Sequence, residues 1–146
     1  MKCFVIDANV IIKWVFLNRK NEDHADQALA LLHAIRKNTV KVLQPPHWLA
    51  EVIAVVTRLQ PKIFHNTLTL LNAMEFSTIN TNEIYILASE LSIKYNHHLF
   101  DTLYHAVALY QGNALFITAD EQYYKKANKQ GSILRLADFS PFTDYQ

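Results

Sequence analysis

Four acidic residues of this chain stand where a charge is expensive. Asp7 interrupts the apolar run "CFVIDANVII". Glu51 is the lone charge between His47 and Arg58 in "HWLAEVIAVVTRL", Asp101 lies in "HHLFDTLYHAVAL", and Asp120 lies in "LFITADEQYYKKA". Carboxylates are rarely buried unless paired. Each of the four has a plain explanation. Asp7, Asp101 and Asp120 each directly precede a helical pattern and suit an N-cap. Glu51 shares a helix face with Trp48, Val55 and Arg58, so an ion pair with Arg58 is open to it.

Their joint placement points to chemistry. At a separation of ~4 Å and an effective dielectric near ~20, each unrelieved pair of carboxylates costs about 4 kcal/mol. Protonation or a divalent cation relieves that repulsion. An all-oxygen donor set favours the hard ions Mg²⁺ or Mn²⁺ over zinc. Such an ion activates water and offsets charge developing on a phosphoryl group. The chemistry implied is phosphodiester or phosphoryl hydrolysis. His97, His98 and His105 lack ligand-like spacing and read as surface or internally satisfied residues.

The elements that must position these acids follow from hydrophobic periodicity. "KCFVI" (2–6) reads as a buried strand, and residues 8–17 as a helix. A polar connector, "NRKNED" (18–23), leads to an amphipathic helix over 23–37 with Ala25, Ala28, Leu29, Leu32 and Ile35 on one face. "VKVLQ" (40–44) is a second strand, closed by Pro45 and Pro46. Helices are expected at 47–59, ending near Pro61, and at 64–74. A weaker strand spans 75–79, and a helix with capping residues runs over 80–95. Another helix covers 101–111 and ends at Gly112, a C′ residue. "ALFIT" (114–118) is a clear strand, 120–129 is helical with Gly131 just beyond, and 132–136 is a last strand. The tail shows no pattern.

Short apolar strands alternating with helices predict an α/β fold, a three-layer α/β/α sandwich on a short, mostly parallel sheet. Such sheets place ligand chemistry at the carboxyl ends of their strands. Asp7 and Asp120 fall just past two of those ends.

Length and composition are consistent with this. A chain of 146 residues with 51% hydrophobic content forms one domain, residues 1–146, with a sizeable core. The formal net charge of +1 gives no global basic signal, which leaves room for a local basic patch. The single cysteine, Cys3, forbids an internal disulfide and a cysteine-based metal cage. Two glycines, Gly112 and Gly131, leave no P-loop, no GxGxxG and no GxSxG elbow. "VIIKWVFL" is too short to span a bilayer and no leader is visible, so a cytoplasmic protein is expected.

With these residues in place, the chain resembles the PIN-domain nucleases, and within them the VapC-type toxins of toxin–antitoxin systems. The matching stretches are "VIDANV", "LAEV", "FDTLYHAVAL" and "LFITADEQYYKKA", in order across nearly the whole chain. The resemblance implies a parallel sheet flanked by helices and a Mg²⁺- or Mn²⁺-dependent endoribonuclease acting on single-stranded RNA. By the family pattern Asp7, Glu51, Asp101 and Asp120 hold metal and position the attacking water. Asn9 supports the first aspartate and Thr118 precedes the last. The pattern further implies an antitoxin partner and a homodimer. One departure is Thr102, where members often carry a smaller residue, and a slightly narrower pocket is expected.

RNA phosphates need cations. Lys13, Arg58 and Lys125 are the candidates, with Lys126 and Lys129 on the same late helix as Lys125, and a simple solvated face is the competing reading. Tyr123 and Tyr124 suit base stacking, whereas the spacing of Trp14 favours the core. Two other readings stay open: a catalytically silent RNA- or protein-binding module on this fold, and an RNA-processing nuclease of the family with no antitoxin. A receiver domain is disfavoured, because Ala8 and Asn9 follow Asp7 and no lysine directly follows Thr118. A DxD phosphatase is disfavoured because Asn9 stands at the second acid position.

Overall fold

The computed structural model describes residues 2–16 and 22–145. Leu17, expected to end the first helix, and most of the 18–23 connector lie outside the described residues.

Five strands form the centre: β1 (Lys2–Ile6), β2 (Val40–Gln44), β3 (Ser77–Thr78), β4 (Ala114–Thr118) and β5 (Ile133–Arg135). Their order is β3-β2-β1-β4-β5 and every pairing is parallel. In the centre, Val5 pairs with Phe116 and Ile6 with Ile117. Buried on both faces, these strands carry unbroken apolar runs rather than alternating ones.

Among the described residues seven α-helices connect the strands: α1 (Ala8–Val15), α2 (Ala25–Arg36), α3 (Trp48–Leu59), α4 (Phe64–Ala73), α5 (Asn82–Tyr95), α6 (Leu99–Gln111) and α7 (Glu121–Ala127). Right-handed crossovers put α1–α4 on one face and α5–α7 on the other. β1 sends its chain toward β2, while its neighbour β4 sends its chain away toward β5. The crevice beyond the carboxyl ends of β1 and β4 is therefore the switch point of the sheet, where such folds hold their ligands.

Several details depart from the sequence reading. α6 starts at Leu99, not Asp101, with His98 as its N-cap. The weak strand keeps only Ser77 and Thr78, since Glu75 takes a left-handed φ of 53°. The tail, expected to be patternless, packs instead. Phe139 is buried, and Phe4 meets Phe139 and Tyr145 edge-on at centroid distances of 6.1 and 5.9 Å. Gly112 ends α6 at a φ of 84°, as its glycine predicts. No helix among the described residues is long and apolar enough to cross a membrane.

Candidate active site

Asp7 follows β1 directly, and its N–H extends the ladder to the Ile117 carbonyl at 3.0 Å. Its backbone, rather than its side chain, starts α1: the carbonyl accepts from Val10 and Ile11. The carboxylate is thus left for other work. It is buried, and its Oδ2 accepts from the Thr118 hydroxyl at 2.8 Å. Thr118 Oγ1 in turn accepts the Asp120 N–H at 3.0 Å. Asn9 closes the same corner, its Oδ1 accepting from the Ala119 N–H at 3.2 Å. The ends of β1 and β4 are so tied by side chains as well as by the sheet. On the other flank of β1, the buried Gln44 amide pairs with both backbone groups of Ile6, at 2.7 and 2.8 Å.

Burial pushes the Asp7 carboxyl up to about 7; the Thr118 hydroxyl opposes this, and the charges of Asp101 and Glu51 add to it. Those two contributions place three acids within electrostatic reach of one another.

Glu51 lies in the first turn of α3. Its Oε1 accepts from the Tyr104 hydroxyl at 2.7 Å and faces His47 Nε2 at 3.0 Å. The same His47 nitrogen reaches the Phe100 carbonyl at 2.7 Å. The ion pair with Arg58 does not form; Glu51 points toward α6 instead. Burial pushes the Tyr104 phenol far above its usual range, with the Asp7 and Glu51 charges adding, so it stays a neutral hydroxyl donor.

Asp101 sits inside the first turn of α6 and is not its cap. Burial raises its pKa, the His97 imidazole pulls it down, and Glu51 and Asp120 raise it further. Asp120 is a true N-cap: its Oδ1 accepts the Tyr123 N–H at 3.0 Å. Its other oxygen stays available, so cap and site residue are compatible roles. His97 stands between these two acids, with Nε2 at 3.2 Å from Asp101 Oδ2 and 3.4 Å from Asp120 Oδ2.

The four acids expected from the sequence therefore do come to one corner. The donors that converge most tightly are a different set. One ligand atom each from His97, Asp101 and Asp120 lie within 4.8 Å of one another. Asp7 and Glu51 stand in electrostatic range beyond them. No lysine or arginine bridges any of the four acids among the described residues. Carboxylate oxygens in such number, without a cationic side chain, fit a hard divalent ion.

Other expectations are corrected. Lys13 is buried, its ammonium bonded to Glu22 and to the Asp23 carbonyl, both at 2.8 Å, so it holds α1 to the chain before α2 and is not poised for a phosphate. Thr102 does not narrow the acidic corner; its hydroxyl bonds to the Ala88 carbonyl of α5 at 2.8 Å. Tyr123 is buried and closed to bases. Its hydroxyl meets His105 Nδ1 at 2.7 Å, and His105 Nε2 meets the Gly131 carbonyl at 2.8 Å. The carbonyl only accepts, so Nε2 carries the proton and Tyr123 donates to Nδ1. His105 is the satisfied core residue that the sequence reading favoured. Trp14 is also core, its indole N–H bonded to the Ala28 carbonyl at 2.8 Å. Arg58 and Lys125 are exposed.

Tyr104 and His47 escape the sequence reading, which sets His97 aside as a surface or internally satisfied residue. A weak signal for Tyr104 and His97 exists: Tyr104 lies three residues after Asp101 and His97 four before it, one helical turn each way.

Comparison with known proteins agrees with this architecture. The chain is similar to a toxin–antitoxin complex structure from Klebsiella pneumoniae, with 18% identity, a TM-score of 0.61, and 99% of this chain and 100% of that one covered. It is also similar to VapBC2 from Rickettsia felis bound to a DNA fragment from their promoter, with 14% identity, a TM-score of 0.67, and 91% and 98% covered. No curated protein matches the sequence significantly. The family model for the PIN domain matches residues 4–129, a span holding all four acids, and the chain belongs to the PIN domain family.

Proposed function

We propose that this protein is a metal-dependent endoribonuclease that hydrolyses phosphodiester bonds of single-stranded RNA, and that it is the toxin of a toxin–antitoxin pair. The observation that carries the reading is the corner itself: Asp7, Glu51, Asp101 and Asp120 meet at the switch point with hydroxyl and imidazole partners but no lysine or arginine among the described residues. In this reading the four acids hold Mg²⁺ or Mn²⁺. When bound, such an ion supplies a water of lowered pKa and offsets charge on the phosphoryl oxygens.

The chain's own residues do the rest. Thr118 and Tyr104 orient the Asp7 and Glu51 carboxylates by neutral O–H donation, which fixes geometry without cancelling charge. Asn9 holds the turn that carries Asp120. Asp120 spends one oxygen on its helix and offers the other to the site. Arg58 and Lys125 are the exposed cations assigned to the RNA backbone. The antitoxin partner is inferred from the two similar structures, both of them toxin–antitoxin complexes. The homodimer rests on the family resemblance, and the cytoplasmic location on the sequence expectation alone.

The test is cleavage of a fluorescently labelled single-stranded RNA with Mg²⁺, with Mn²⁺ and with a chelator. Metal-dependent cleavage by the wild type, absent in Asp7→Asn, is expected. Binding without cleavage under every condition would overturn the enzyme reading in favour of a silent RNA-binding module. For toxin status, growth arrest on expression should be relieved by co-expressing the product of a small adjacent reading frame.

A further inference from the structure

We propose that His97 is a metal ligand of this site, which makes it a mixed nitrogen–oxygen centre selective for divalent transition ions over Mg²⁺. The inference rests on the metal-dependent reading above and deepens it.

Four acids suffice for a hard ion, and nothing in that reading asks for an imidazole. Yet the tightest convergence of donor atoms includes one: His97, Asp101 and Asp120 each offer a ligand atom, all within 4.8 Å of one another. Nε2 points at both carboxylates, at 3.2 and 3.4 Å. The side chain is only 12% exposed, so it does not simply wave in solvent.

Three features aim it there. The chain leaves α5 through Asn96 at a φ of 48°, which turns residue 97 back across the end of the helix. The His97 N–H then bonds to the Ser92 carbonyl at 3.1 Å, while its own carbonyl accepts from the Ser92 hydroxyl. The ring itself lies against Tyr123, with centroids 4.7 Å apart. Tyr123 is in turn locked by His105 and by its backbone N–H, which donates to Asp120 Oδ1. The imidazole and one of the carboxylates are thus held by the same buried tyrosine, so ring and acid keep a common geometry.

An imidazole offers a metal its Nε2 lone pair only when the ring proton sits on Nδ1. That nitrogen now faces the Lys126 ammonium at 3.4 Å. Lys126 also reaches the Asn96 carbonyl at 3.5 Å and is exposed, so it turns to that acceptor when Nδ1 becomes a donor. Imidazole suits transition ions, whereas Mg²⁺ asks for near-octahedral oxygen and keeps its waters. A nitrogen here therefore tilts selectivity without excluding Mg²⁺ from the oxygen donors.

The test uses the full chain with Mn²⁺ and Mg²⁺ alone as probes. Pulsed EPR of the wild type loaded with Mn²⁺ should show the ¹⁴N coupling of a directly bound imidazole. Calorimetric titration of folded His97→Ala should show Mn²⁺ affinity reduced at least about tenfold, as loss of a metal-site partner does, with Mg²⁺ affinity little changed. His97→Gln, which keeps a neutral side chain of similar reach, should lose the ¹⁴N signal as well. No ¹⁴N coupling in the wild type, or an equal loss for both ions in the variant, overturns the assignment and leaves His97 an ion-pair partner of the two acids. If the wild type binds neither ion, the metal-dependent reading itself fails, a result distinct from either.

Discussion

The two halves of the acidic corner are built on opposite plans. Asp7 and Glu51 receive neutral hydroxyls, from Thr118 and from Tyr104; the His47 nitrogen beside Glu51 lies closer to the Phe100 carbonyl, at 2.7 against 3.0 Å. Asp101 and Asp120 share one imidazole, from His97. The first pair stands on the elements that follow β1 and β2, with Asp7 buried. The second pair borders α6 and α7 and is more open to solvent. A hydroxyl fixes a carboxylate and leaves its charge in place. An imidazole can share that charge or compete for what the charge attracts. The corner therefore has a rigid, hydroxyl-held side and a softer, imidazole-held side.

The largest effect should come from breaking the rigid side at its centre. Asp7→Asn keeps the size and one acceptor but removes the charge. RNA cleavage should be abolished while far-UV circular dichroism is unchanged; retained cleavage would show that the softer side suffices alone. Next is the pH response of the metal-free protein. The folded Asp7 carboxyl titrates near 7, above its unfolded value of 3.8. The native state therefore holds the extra proton between those values, and stability falls as pH rises from about 4 to 7. Relative to Asp7→Asn, the wild type should lose about 4 kcal/mol across that window. Denaturant melts at several pH values measure it, and parallel curves would mean that Asp7 is not buried as described. Excess Mn²⁺ or Mg²⁺ should flatten the wild-type curve.

Removing the orienting hydroxyls comes next. Thr118→Val and Tyr104→Phe should each slow cleavage about 10- to 100-fold, the usual cost of losing a group that orients a metal ligand. An equal loss in His97→Ala at saturating Mg²⁺, the ion whose affinity that change should leave in place, would erase the distinction between the two sides. The smallest effect is Glu51→Gln. It relieves repulsion with Asp7 and Asp101 and keeps the Tyr104 and His47 contacts, so the metal-free protein should gain about 1 kcal/mol or less. Clear destabilisation would mean that the His47 contact outweighs the repulsion.

The fold was legible because its strands are uniformly apolar and its helices periodic, two patterns that need no tertiary knowledge. The acids were legible for a related reason: a carboxylate inside such a run has no local explanation beyond a cap. What stayed hidden depends on elements far apart in sequence. His97 lies just past the end of α5 and reaches Asp120, at the start of α7, only after the β4 crossover closes. Lys13 reads as a free cation because Glu22, its partner, sits beyond the end of α1. Asp101 reads as a cap because "HHLFD" offers no better capping residue, although His98 takes that place. The tail carries no periodicity, and two aromatic contacts with Phe4 order it nonetheless.

The pairing of β1 with β4 has a consequence in time. Thr118 holds Asp7 across a separation of 111 residues. At about 5–20 residues per second, a ribosome takes roughly 6–22 s to travel from one residue to the other. Throughout that interval β1 has no β4 to pair with, and the corner does not exist. On the proposed reading, an RNA hydrolase made on this plan has no active site until the ribosome has passed Asp120.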